Sequence, residues 1–176
     1  MTFQPSSVLF DKGVIRRVYE RRARLAQGLQ PTSLQNEAAD VYDRINTIAQ
    51  RLYITQPTAN VLRLRPPRHA AAILSDTRVL RKGRYLRRWA RRLRDFNFSR
   101  EDALIIAHGS FGADVDSLLI GVDVIVTNDF KLVNNFKAQY TNIEDRFKRM
   151  ISDLLDPYSS LKLPEIMTTA DVLDLT

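Results

Sequence analysis

Gly121-Val122-Asp123-Val124-Ile125-Val126-Thr127-Asn128-Asp129 carries the strongest strand signal in the chain. Apolar β-branched residues dominate its centre, as a strand buried in a sheet requires, and it ends in Thr127-Asn128-Asp129. Upstream, Ser99 predicts the cap of a helix with Asp102 at the third position of a capping box, and Ala103 to Ala107 mark that helix as buried. A loop containing Gly109, Gly112 and Gly121 joins the helix to the strand. Downstream, residues 134–156 read as mostly helical and charged, Pro157 to Ser160 as a loop, and Glu165-Ile166-Met167 as a short strand before a helical tail from Thr168.

The rest of the chain repeats the alternation. Ser7-Val8-Leu9-Phe10 suits a buried strand, and Val14, Ile15, Val18, Tyr19, Ala23 and Ala26 recur at helical spacing up to a stop at Gly28. Thr32-Ser33 caps a second helix with the stripe Leu34, Ala38, Val41, Ile45, Ile48 and Leu52. Leu52 to Ile54 is a third strand candidate, followed by a short helix from Thr55 or Pro57 to Leu64 that Pro66-Pro67 breaks. His69 to Phe96 reads as helical, in two segments hinged near Gly83. Strands alternating with helices imply right-handed βαβ units. The expected fold is a single α/β domain over residues 1–176, a three-layer α/β/α arrangement with a small, mainly parallel sheet.

At 176 residues with 44% hydrophobic content, the chain is about one domain long and buries a sizeable core. No apolar run reaches the roughly 20 residues of a membrane span, and Met1 to Phe10 lacks the features of a signal peptide. Cysteine is absent, which excludes disulfides and thiol nucleophiles and fits a reducing compartment; a cytoplasmic protein is expected. Lysine and arginine number 27 against 20 acidic residues, a net +7 that points to an anionic partner. The charge is segregated. Arg63 to Arg94 holds twelve cations and one acid, Asp76; Glu101 to Asp129 holds six acids and no cation. Around Val79, Tyr85, Leu86, Trp89, Leu93 and Phe96, the residues Arg81, Lys82, Arg84, Arg87, Arg88, Arg91 and Arg92 crowd one surface, either as a solvated face or as a phosphate-binding strip.

Asp11 follows the first strand, Asp129 follows the strongest, and Asp102 opens the helix before it. Groups just beyond the carboxyl ends of parallel strands line the functional crevice of such sheets. Carboxylates gathered there raise one another's pKa unless a cation joins them, and Mg²⁺ or Mn²⁺ supplies one. All three positions are also helix starts, where aspartate serves as a cap. Spacing leaves both readings open. His69 and His108 lack the spacing of a zinc site, and His108 reads as a core or edge histidine. Gly109-Ser110-Phe111-Gly112 reads as a turn without the lysine of a phosphate loop, and Tyr85 and Trp89 as anchors of their helix to the core.

Asp102-Ala103-Leu104-Ile105-Ile106-Ala107, followed by Gly121 to Phe130 with its Thr-Asn-Asp, resembles the C-terminal half of the PIN-domain family of metal-dependent ribonucleases, which includes the toxins of toxin–antitoxin pairs. Val8-Leu9-Phe10-Asp11 resembles the family's first strand and aspartate, and Glu165 to Leu173 its closing strand and helix start. The resemblance implies a Mg²⁺- or Mn²⁺-dependent endoribonuclease with Asp11, Asp102 and Asp129 as catalytic metal ligands and Asn128 in support. It implies RNA as substrate, held by the Arg81 to Arg92 strip, with a protein inhibitor (antitoxin) and a homo-oligomer as further expectations. Two positions depart from the family. Lys12-Gly13 replaces its Ser/Thr and Asn after the first aspartate, and its glutamate after the second strand has no counterpart, leaving Asn60 or Glu37 as fourth members. Those departures keep a second expectation in view, a weakened or inactive member acting as an RNA- or protein-binding module. The helices at about 33–52 and 137–156 read as additions to the minimal family fold.

Overall fold

The computed structural model describes residues 4–175; three residues of the Met1 to Phe10 stretch, and Thr176, lie outside the described residues. The strands are β1 (Ser7–Phe10), β2 (Arg51–Thr55), β3 (Thr77–Lys82), β4 (Gly112–Asp114), β5 (Leu119–Ile120), β6 (Val124–Thr127) and β7 (Glu165–Thr168). They form one sheet in the order β5-β4-β3-β2-β1-β6-β7, parallel from β3 to β7, with β4 and β5 antiparallel at one end.

Helices cover both faces, because every central strand is apolar on both. Val8 and Phe10, Leu52 and Ile54, Val124 and Val126 face α1 (Lys12–Ala26), α2 (Ser33–Ile48), α3 (Gln56–Arg63), α4 (Pro67–Asp76) and α9 (Thr169–Asp174). Leu9, Tyr53, Ile125 and Ile166 face the other layer, α5 (Leu86–Leu93), α6 (Arg100–Phe111), α7 (Phe130–Ala138) and α8 (Tyr140–Ile151). The period-2 alternation of a strand divides one apolar run between two cores, which is the three-layer α/β/α architecture.

Several boundaries differ from the sequence expectation. The helix expected over about 33–52 stops at Ile48, since Leu52 continues the helical stripe in register but belongs to β2. Residues 137–156 are split, with α7 beginning already at Phe130 and α8 ending at Ile151. Both belong to the helical layers that bury the sheet. The span His69 to Phe96 contains β3, whose two buried residues, Thr77 and Leu80, lie three apart and so mimic a helical period. Gly83 is no hinge. A Cβ there would stand 1.9 Å from the Phe111 carbonyl oxygen, so only glycine lets β3 turn under the end of α6. Gly109-Ser110-Phe111 is not a turn but the last turn of α6, where Gly109 lets the helix approach Ile125 and Pro164.

Asp114 fastens the antiparallel end of the sheet. It is buried and accepts from Tyr53 Oη (2.9 Å), Ser117 Oγ (2.7 Å) and Arg78 Nη1 (3.2 Å). Burial alone would raise its pKa; the hydrogen bonds from Ser117, Tyr53 and Arg78 outweigh it and hold the carboxyl at about 2. A depressed folded-state pKa gives stability that is present above the unfolded value near 3.9 and lost as pH falls toward about 2. Asp114→Asn is therefore expected to destabilise by about 1–3 kcal/mol at pH 7, through weakened charge-assisted bonds to buried partners. In urea titrations the gap from wild type should narrow as pH falls below 4; a gap independent of pH contradicts this role.

Candidate functional site

In the parallel part of the sheet the chain runs from β1 to β2 and β3 on one side, then crosses to β6 and β7 on the other. The order reverses between β1 and β6, and at such a switch point a crevice opens beyond the carboxyl ends of the two strands. Asp11 follows β1 and Asp129 lies just past β6. A crevice of about 740 Å³ there is walled by both aspartates with Asn128, Thr58, Tyr19, Phe130, the cations Lys12, Arg65 and Lys131, and the ion pair of Arg16 with Glu20 (3.6 Å).

Thr127 ties the two acids together. Its hydroxyl donates to Asp11 Oδ2 at 3.1 Å and accepts from the Asp129 amide at 3.1 Å. Asp11 Oδ1 accepts from the Lys12 amide at 2.7 Å, and Asp129 Oδ1 from the amides of Lys131 (2.9 Å) and Leu132 (3.1 Å). Both are thus the caps of α1 and α7 that their positions predict. Both amides bind Oδ1, and among the described residues no hydrogen bond reaches Asp129 Oδ2. Burial raises the Asp11 pKa against the hydrogen bonds from Thr127 and the Lys12 amide, and the Asp129 charge adds to the rise. The one cation adjacent in sequence, Lys12, spends its ammonium on Glu101 at 2.6 Å.

That ion pair links the exposed starts of α6 and α1. Asp102, one residue on, is the N3 partner of a capping box: its Oδ2 accepts from the Ser99 amide at 3.3 Å while Ser99 Oγ accepts from the Asp102 amide at 3.1 Å. It does not line the crevice. Among the described residues no three His, Cys, Asp or Glu side chains stand close enough to hold a metal together. Asp11 and Asp129 thus share the crevice, while Asp102 lies in the first turn of α6, beside the Glu101 that pairs with Lys12.

The two fourth-member candidates part company. Asn60 is exposed on α3, and its Oδ1 accepts from Gln56 (2.8 Å) and Arg63 (3.4 Å) away from the crevice. Glu37, on α2, is half-buried and bonded to Thr169, whose hydroxyl also stands 2.7 Å from Asn128 Oδ1. The crevice cations Arg16 and Lys131 went unnoticed in the sequence, although each lies within five residues of a site aspartate.

Arg81, Lys82, Arg84, Arg87, Arg88 and Arg91 are exposed and Arg92 half-buried, at the end of β3 and along α5. None of the seven joins an ion pair among the described residues, and none lines the crevice. Trp89 is fully buried with its ring 5.2 Å from Phe147, and Tyr85 packs edge-on to Tyr158 at 4.9 Å, so both anchor α5. His108 is a core histidine whose pKa is pushed down to about 4, by burial first and then by the Lys82 charge. Asp123 binds the Ser6 and Ser7 amides at the opposite end of β1.

No protein-family model, curated protein or solved structure matches the chain, so the site stands on its own geometry. Among the described residues, no helix is long and apolar enough to cross a membrane.

Proposed function

We propose that the chain is a Mg²⁺- or Mn²⁺-dependent endoribonuclease of PIN type, working in the cytoplasm and possessing the oxygen chemistry of a toxin-like nuclease site. One observation carries the reading: Asp11 and Asp129, bridged by Thr127, flank the switch-point crevice, and among the described residues neither carboxylate is held in an ion pair. The donor set fits the ion. Mg²⁺ prefers hard oxygen ligands, keeps several waters, and is commonly held by one or two carboxylates plus a substrate phosphate.

Asp11 and Asp129 would hold the ion, with Asn128 beside them. A bound divalent ion polarises a phosphodiester and lowers the pKa of a coordinated water. The protein's own part is orientation. Thr127 fixes Asp11, and the first amides of α7 fix Asp129. Arg16, Arg65 and Lys131 offer phosphate contacts at the crevice wall, and the unpaired Arg81 to Arg92 strip offers them farther along an RNA backbone.

A second reading, an RNA- or protein-binding module that does not cut, draws on the lack, among the described residues, of three acidic or histidine side chains placed to share a metal, and on Lys12 beside Asp11. Mixed RNA incubated with purified protein and Mn²⁺, beside an Asp129→Asn control, separates the two. Cleavage by wild type and its loss in the control are expected for the nuclease. RNA binding without cleavage in either divalent ion establishes the module instead.

A further inference from the structure

The Glu37–Thr169–Asn128 chain contains more acceptors than its protons can serve. Thr169 Oγ1 is within hydrogen-bond reach of Glu37 Oε1 and of Asn128 Oδ1, yet a hydroxyl carries one proton. Meanwhile Asn128 Nδ2, which carries two, is buried and has no acceptor among the described residues. A half-turn of the Asn128 amide removes both faults. Nδ2 then donates to Thr169 Oγ1, and Thr169 donates to the Glu37 carboxylate, which only accepts. The amide oxygen takes the buried position that lacked a partner, on a residue lining the crevice with Asp11 and Asp129. An amide oxygen is a hard ligand of the kind that suits a cation or a cation's water.

We infer that Glu37 is a positioning residue rather than a metal ligand: through Thr169 it orients the Asn128 amide so that its oxygen joins those of Asp11 and Asp129 in the crevice. This rests on the metal-dependent reading above. The arrangement links three distant segments, α2, the α9 start and the β6–α7 junction, with |i−j| of 132 between Glu37 and Thr169 and 41 between Thr169 and Asn128. It also explains a glutamate near the site in a helix that precedes β2. Outer partners that orient a ligand typically contribute about 10–100-fold in metal affinity.

The test uses the full chain, metal-free, with Thr169→Val (similar shape, no hydroxyl), Thr169→Ser (hydroxyl kept) and Glu37→Ala. In the wild-type protein, NOEs from the Asn128 amide protons to Thr169 are expected; NOEs to Asp11 or Thr127 instead overturn the orientation. Mn²⁺ alone, titrated and followed by EPR, is expected to bind about tenfold or more weakly to Thr169→Val and Glu37→Ala, and like wild type to Thr169→Ser. Wild-type binding unchanged in folded Thr169→Val overturns the inference alone. No Mn²⁺ binding by wild type overturns the nuclease reading and the inference with it, and the NOEs, measured without metal, still decide the orientation should any variant fail to fold.

Discussion

Asp11→Asn is expected to abolish RNA cleavage while leaving the protein at least as stable as wild type at neutral pH. Burial holds the Asp11 pKa above its ordinary value, and the Asp129 charge adds to the rise. The sign follows from linkage. A folded value above the unfolded one, near 3.9, means that the carboxyl favours folding relative to its charged form only at low pH, and that this advantage is lost as pH rises through the folded value. At pH 7 the charge opposes folding. Asparagine keeps the shape, can accept from the Lys12 amide, and can donate to Thr127 Oγ1, so the cap and the bridge survive. Catalysis does not. Losing one of two anionic ligands removes several kcal/mol of transition-state stabilisation, and at about 1.4 kcal/mol per tenfold the rate falls on the order of 10³-fold. Urea unfolding at pH 7 and turnover of RNA in Mn²⁺ check both halves. An active variant, or an inactive one that is markedly less stable, contradicts the account.

The second large effect is one of stability. Trp89→Ala is expected to cost about 3–5 kcal/mol, a large share of the about 5–15 kcal/mol that holds a domain folded. Trp89 has no exposed surface and sits in the core with Leu93, Phe111, Phe147 and Met150. Its indole N–H has no partner among the described residues, so Trp89→Phe gives up no hydrogen bond seen there and should cost much less. Because α5 also displays Arg87, Arg88, Arg91 and Arg92, loss of its anchor should weaken RNA binding only in step with unfolding. A Trp89→Ala protein of unchanged stability that binds RNA poorly would show that the ring stacks on bases instead.

Trp89 illustrates what the sequence makes legible. Its spacing with Leu86 and Leu93 marks a buried face, and the face is buried. Runs such as Val8 to Phe10 and Val124 to Val126 read as strands because both faces of a parallel sheet are covered. The strand β3 does not read so, because only two of its residues are buried and they fall at a helical interval. The strands β4 and β5 are three and two residues long, too short to show alternation, and they are held by Asp114 rather than by apolar pattern.

The site follows the same division. Asp11 and Asp129 are visible from position, since each ends an apolar run, and the structure brings both to the switch point. The place of Asp102 beside a capping serine is also visible, but the pairing of its neighbour Glu101 with Lys12 is a contact that no local pattern records. Glu37 is the least legible. Its hydrogen bond with Thr169 joins residues 132 positions apart, a contact that no local pattern records.

Anomalous diffraction from a crystal of the wild-type protein soaked in Mn²⁺ tests the central claim most directly. The account predicts a peak in the β1–β6 crevice within about 2.6 Å of carboxylate oxygens of both Asp11 and Asp129. A crystal with manganese bound elsewhere and none between these two residues would contradict it.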